Sequence, residues 1–173
     1  MTKAQHLRER RSLIRALLAS PWILASLPGT ATAASAPSVG SKLSLVDMPL
    51  IDGGSFSARE AEGKVVVVYW WASWCPYCAE MSPHIEKLWR SARDRGLRVI
   101  GISVDRTVEA VREHRQRKGY TFPCAMYSPD FEAALPKPPG IPVLWVRGKN
   151  GKVVMAEAGQ LLPEDIEEIT RFL

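Results

Sequence analysis

The chain of 173 residues, 46% hydrophobic and 24% charged, has ordinary globular composition and a length that suits one domain, two at most. That composition excludes a disordered tail, a collagen-like fibre and a multi-span membrane protein, and three cysteines are too few for a disulfide-stapled mini-scaffold. The formal net charge of +5 does not point to nucleic acid, because residues 1–33 hold five basic residues against Glu9 alone and leave 18 basic against 17 acidic beyond.

That basic N-terminus is ordered like a secretory signal. A charged head, Arg8-Glu9-Arg10-Arg11, precedes an apolar middle from Ala16 to Leu27 and a small-residue exit from Gly29 to Ala36. Cleavage is expected after Ala33, within Ala31-Thr32-Ala33. The apolar stretch falls short of the roughly 20 residues a membrane helix needs, so a cleaved signal is expected and not a stable span. Arg10-Arg11-Ser12-Leu13-Ile14-Arg15 also resembles the twin-arginine export motif, and an ordinary signal whose head contains an Arg pair stays open beside it. Either route implies a periplasmic protein, where disulfides persist. The organisation expected is a signal over 1–33, a linker over 34–42 and one domain over 43–173.

Leu43 to Leu50 alternates loosely, and Asp52-Gly53-Gly54 marks a turn before Ser55-Phe56-Ser57, which predicts an N-terminal hairpin. Lys64 to Trp71 is a continuous β-branched and aromatic run, the pattern of a central strand buried on both faces. From Pro76 to Arg93 the apolar residues Met81, Ile85, Leu88, Trp89 and Ala92 recur at helical steps, and Gly96 follows as a C-cap. Leu97 to Val104 reads as a second buried strand. A helix capped by Asp105 or Thr107 then runs to Lys118 and stops at Gly119.

A short strand near Phe122–Met126, a helical turn around Asp130–Leu135 and the proline-rich loop 136–140 come next. Ile141–Arg147 and Lys152–Ala156 flank an Asn-Gly turn, a strong hairpin signal. Pro163 with Glu164 and Asp165 opens a last helix to Phe172. The pattern predicts one α/β domain around a mixed sheet.

Cys75 and Cys78 sit between the buried strand and the first turn of a helix. Free N–H groups and the positive end of the helix dipole there stabilise a thiolate at Cys75. Pro76 fits the first helical position, where a missing N–H costs nothing. Cys78, one turn further in, should reach Cys75 and be less exposed. This suits a two-step exchange: Cys75 attacks a substrate disulfide, and Cys78 resolves the mixed disulfide. Half a zinc site is the bland alternative, but only Cys124 and the isolated His84 and His114 remain as further ligands.

These features together resemble the thioredoxin family. Trp-Cys-x-x-Cys follows an apolar strand, Pro83 lies five residues beyond Cys78, and Gly140-Ile141-Pro142 precedes the strand–turn–strand hairpin. The N-terminal hairpin with Phe56, and the insertion around Thr121-Phe122-Pro123, resemble the exported TlpA/ResA-like branch. The resemblance implies a thioredoxin fold, with a central mixed sheet flanked by helices and an insertion before a cis-proline. It also implies Cys75 as nucleophile, Cys78 as resolving thiol and Pro142 as the cis-proline facing them. Two positions depart from the family. Tyr69 stands where thioredoxins carry an acid six residues before the first cysteine, and Met81 replaces a helix glutamate, with Glu80 out of register.

Trp74, Pro76, Tyr77, Ile141 and Pro142 are the expected substrate-binding residues beside the catalytic pair. At least one of Trp70 and Trp71 should be core, because neighbouring strand residues point to opposite faces. Cys124, in an apolar setting, is expected to be an inert core thiol and not a second redox partner. The chain reads as a monomeric exported thiol–disulfide oxidoreductase, needing no cofactor or metal, and reducing protein disulfides. Its partners would be protein disulfide or dithiol substrates and a membrane or periplasmic redox donor, not nucleic acid. A disulfide-forming oxidase or isomerase stays open, and so does a copper carrier, although the cysteine spacing is one residue short for that. A peroxidase would need a Pro-x-x-x-Thr-x-x-Cys setting, which is absent.

Overall fold

The computed structural model describes residues 37–173. The expected export signal, its expected cleavage point and the start of the expected linker lie outside the described residues. Among the described residues seven strands and three α-helices follow one another, with short 3₁₀ turns between them. β3 (Val65–Trp71), β4 (Leu97–Ser103) and β5 (Cys124–Met126) are parallel neighbours. β6 (Val143–Arg147) and β7 (Val153–Ala158) join antiparallel on the other side, giving the order β5-β4-β3-β6-β7. This is the mixed sheet expected from the sequence.

β3 lies at its centre because every one of its side chains is apolar or aromatic, and all seven are buried. Its alternate residues feed two different cores. Val65, Val67, Tyr69 and Trp71 face one side, where α1 (Pro76–Ala92) adds Met81, Ile85 and Leu88. Val111 of α2 (Val108–Lys118) and Ile166 of α3 (Pro163–Glu167) complete that side. Val66, Val68 and Trp70 face the other, packed with Leu43, Met48, Phe56, Phe131 and Leu135. The helices therefore sit on one face, and the N-terminal segment with the 129–131 turn covers the other. Each such side chain contributes roughly 1.5–3 kcal/mol by leaving water. Trp70 and Trp71 are both fully buried, one in each core, where the sequence required only one. The Trp70 ring meets Trp145 edge-on at 5.6 Å.

The N-terminal hairpin is shorter than its pattern suggests. Only β1 (Met48–Pro49) and β2 (Ser55–Phe56) pair, around the turn at Gly53 and Gly54. Gly40 to Lys42, expected as linker, instead run along the sheet edge. Gly40 and Leu43 donate to Val153 and Gly151 carbonyls at 2.8 and 3.0 Å, and Val153 N donates to Ser41 O at 2.8 Å. The folded unit thus reaches at least as far back as Gly40. Buried Arg147 anchors the same segment: it donates to Leu43 O and holds Glu62 through both carboxylate oxygens at 2.8 and 2.9 Å. Among the described residues no helix is long and apolar enough to cross a membrane.

α1 ends at Ala92, and a 3₁₀ turn over Arg93–Arg95 carries the chain to Gly96 in the left-handed conformation. α2 is capped by Thr107, whose hydroxyl accepts from Ala110 N, and not by Asp105. The last helix loosens into a 3₁₀ turn after Glu167.

Candidate active site

Cys75 is the N-cap of α1. Its backbone is extended, at φ −84° and ψ 117°, and its sulfur accepts the Cys78 N–H at 3.3 Å. An N-cap residue ordinarily offers a side-chain acceptor to the first free amides of the helix. Here the acceptor is sulfur, so the Cys75 Sγ itself meets a free amide at the start of α1. Pro76 follows at the helix start with no N–H to leave unpaired.

Both cysteines are covered by surrounding structure, with Cys75 4% exposed and Cys78 fully buried. The expected order of accessibility holds, but Cys75 is a recessed sulfur, not an open one. The reason is its neighbours. The Cys75 thiol faces Ile141 O at 4.0 Å, and the Ile141-Pro142 bond that presents this carbonyl is cis. Trp74 and Tyr77 flank the sulfur and stand out into solvent at 65% and 59% exposure, unusual for aromatic side chains. Beside Trp74 a groove of about 560 Å³ is lined by Ser73, Val104, Asp105, Arg106, Thr107 and Ala110.

Beneath the pair lies Tyr69 of β3. Its hydroxyl is 3.0 Å from Ser82 Oγ and donates to Cys78 O at 3.3 Å, while Ser82 Oγ donates to the same carbonyl at 2.7 Å. Burial pushes the Cys78 thiol well up, and the neighbouring Cys75 adds to the shift. Burial likewise holds the Tyr69 phenol well above its usual value, reinforced by Cys78. In the reduced pair, then, the inner sulfur keeps its proton.

Two supports were not legible in the sequence. Asp105 accepts from Ser73 N at 2.9 Å and Ser73 Oγ at 2.6 Å, and takes the Ser103 hydroxyl at 2.7 Å. It fixes the loop that carries Trp74, a role 32 residues away in sequence. Glu80 accepts from the Gln160 amide at 2.6 Å and ties α1 to the loop after β7. The out-of-register glutamate is thus a surface tether, and Met81 beside it is fully buried. His114 is also buried, packed on Trp71 and Tyr120, and burial lowers its pKa. Cys124 lies inside the sheet on β5, where burial pushes its thiol up to about 12. Among the described residues no group of three or more His, Cys, Asp or Glu side chains is arranged to hold a metal ion.

Comparison with known proteins agrees with this architecture. Residues 39–136 match the AhpC/TSA family. The thiol-disulfide oxidoreductase ResA of Halalkalibacterium halodurans is 26% identical over 127 residues, covering 71% of this chain and 70% of that protein. ResA of Geobacillus kaustophilus is 25% identical over 169 residues, covering 96% and 95%. Among solved structures, a thioredoxin-family thiol:disulfide interchange protein from Chlorobium tepidum superposes with a TM-score of 0.69 at 24% identity, over 80% of this chain and 97% of that one. The thioredoxin domain of a thiol-disulfide oxidoreductase from Bacteroides vulgatus gives 0.65 at 22% identity, over 78% and 96%. The family match spans more than half of the chain, so the protein belongs to the AhpC/TSA family, on a thioredoxin fold of the TlpA/ResA-like kind.

Proposed function

We propose that the protein is an exported thiol–disulfide oxidoreductase that reduces protein disulfides through Cys75 and Cys78. The observation that carries this reading is the paired sulfur geometry: Cys75 caps a helix and accepts the Cys78 amide, with the Cys78 thiol buried behind it. In the reduced enzyme the Cys75 thiolate attacks one sulfur of a substrate disulfide. The substrate S–S bond breaks, a mixed disulfide forms on Cys75, and the departing substrate thiolate takes up a proton. Cys78 then loses its proton and attacks the Cys75 sulfur. The second substrate thiol leaves, and a Cys75–Cys78 disulfide holds the two electrons' worth of oxidation. A redox donor must reduce that disulfide before the next turnover.

Trp74 and Tyr77 form the exposed wall against which a substrate polypeptide would lie, and Pro76, Ile141 and Pro142 border the sulfur. The Ile141 carbonyl beside Cys75 supports pairing with an extended substrate backbone, a mode that tolerates varied sequences. The second thiol one turn from the first favours exchange chemistry over the single-cysteine chemistry of a peroxidase. Export rests on the leader sequence, from the Arg pair to Ala33.

Direction follows from the reduction potential of the Cys75–Cys78 pair. A value near that of thioredoxin, about −270 mV, supports a reductase, and one near −120 mV would make the protein an oxidant. Equilibration of the purified mature chain with glutathione buffers, read by alkylation and mass spectrometry, measures it.

A further inference from the structure

The groove beside Trp74 has no part in the exchange as written above. Trp74, Val104 and Ala110 give it apolar surface, and Arg106 and Thr107 give it polar groups. Its place follows from the sheet. β4 and β6 flank β3 on opposite sides, and Ser103 and Val143 pair with Trp71 and Trp70, just before the cysteine loop. The segment after β4 therefore leaves on one side of that loop, and Ile141 enters β6 on the other. At about 560 Å³ the groove has room for a side chain with some of its backbone.

The hydrogen-bonding groups of the groove are unevenly committed. Asp105 accepts Ser73 N, Ser73 Oγ and Ser103 Oγ at 2.9, 2.6 and 2.7 Å, so both of its carboxylate oxygens are engaged within the protein. Donors are what remain. Arg106 is exposed, and among the described residues it forms no ion pair. Thr107 Oγ1 accepts Ala110 N at 3.4 Å, which leaves its own proton to give. A carboxylate is the side-chain group that takes two parallel bonds from a guanidinium. A basic substrate side chain would meet the charge of Arg106 and compete with Ser73 and Ser103 for Asp105.

We propose that this groove is a specificity subsite for an acidic polypeptide substrate. Arg106 recognises an aspartate or glutamate side chain close in sequence to the reacting cysteine, and Trp74, Val104 and Ala110 pack against its apolar stem. The proposal rests on the disulfide-exchange reading above and adds to it the class of substrate. A substrate chain paired along Ile141 passes Cys75 and then Trp74, the residue before it. An extended chain advances about 3.3–3.6 Å per residue, so a side chain two to four residues from the reacting cysteine stands roughly 7–14 Å beyond it, past the indole. Arg106 acts on encounter and binding, not on the sulfurs, so its effect falls on acidic substrates and is screened by salt.

Fluorogenic peptide disulfides test this. Each pair differs only in carrying glutamate or glutamine, placed two, three or four residues to either side of the cysteine. The two peptides of a pair compete for the same reduced protein, so a general effect of a substitution cancels in the ratio of their rates. For at least one placement the parent should favour glutamate roughly three- to fivefold at low salt, the range of one exposed ion pair. That ratio should fall towards one at about 1 M salt, where the Debye length is about 3 Å. Arg106→Gln should bring it to one at low salt, and Arg106→Glu should invert it. Equal rates for every pair with the parent at low salt, or a ratio that survives Arg106→Gln, would overturn the proposal. A parent protein that reduces none of the peptides would instead overturn the exchange reading itself.

Discussion

Removing the Glu86 carboxylate should destabilise the fold by an amount set by the bonds it accepts. Glu86 lies on α1 with its side chain almost enclosed. Its Oε2 accepts Thr121 N at 2.7 Å and Phe122 N at 3.0 Å, and its Oε1 accepts Thr121 Oγ1 at 2.7 Å and pairs with Arg90. Glu86→Ala leaves these donors without an acceptor. The Phe122 amide is buried and loses the whole of its bond, about 1.5–3 kcal/mol for a charged acceptor. The two Thr121 donors regain some water, at about 0.5–1 kcal/mol each, and the Arg90 pair adds little because the arginine is exposed. The loss should total about 2.5–5 kcal/mol, a fall of roughly 10–15 °C in Tm.

The loss should also depend on pH. Burial raises the Glu86 carboxyl, but the bonds from Thr121, Arg90 and Phe122 outweigh it and leave the group below its usual value. A carboxylate depressed on folding contributes stability that is complete above its unfolded pKa, about 4.3, and is lost as pH falls through the folded one. Urea denaturation of parent and Glu86→Ala at pH 7 and pH 3 is the assay, and the gap between them should narrow at pH 3. A cost below about 1 kcal/mol at pH 7, less than one charged hydrogen bond, would refute the reasoning, and so would an equal gap at both pH values.

Other substitutions test the surroundings of the site. Cys124→Ala should keep both activity and potential, and Cys124 in the folded protein should resist alkylation at pH 8, since burial pushes its thiol up to about 12. Mass spectrometry that finds Cys124 in a disulfide would contradict this. Gly101→Ala would put a Cβ 2.8 Å from Phe122 Cε2 and 3.0 Å from Trp71 Nε1, so it should cost about 1–3 kcal/mol in thermal or urea unfolding. An unchanged Tm would mean that the rings behind the site yield more easily than their packing implies.

What could be read from the chain was what is local. β3 announces itself because seven adjacent apolar residues can be buried on both faces only at the centre of a sheet. α1 follows from its apolar spacing, and the β6–β7 hairpin from its Asn-Gly turn. The cysteine pair is legible because its chemistry depends on a helix start that the sequence marks with Pro76. The supports were hidden because they join residues far apart in the chain. Asp105 looks like a helix cap until the fold brings Ser73 to it, and Arg147 looks like the charged end of a strand until Leu43 and Glu62 enclose it. Tyr69 is the instructive case. Its position six residues before Cys75 was marked by the family resemblance, but the partnership of its hydroxyl with Ser82 exists only once β3 and α1 are packed together.

The central claim is that Cys75 is the sulfur that meets substrate and Cys78 the one that resolves it. The most direct measurement is trapping with the Cys78→Ser variant. The reduced variant is mixed with a peptide disulfide, quenched with acid, and its adducts are mapped by mass spectrometry. The geometry predicts an adduct that accumulates on Cys75 and is absent from Cys75→Ser. An adduct on Cys78 in Cys75→Ser, formed as fast as the Cys75 adduct, would contradict the assignment.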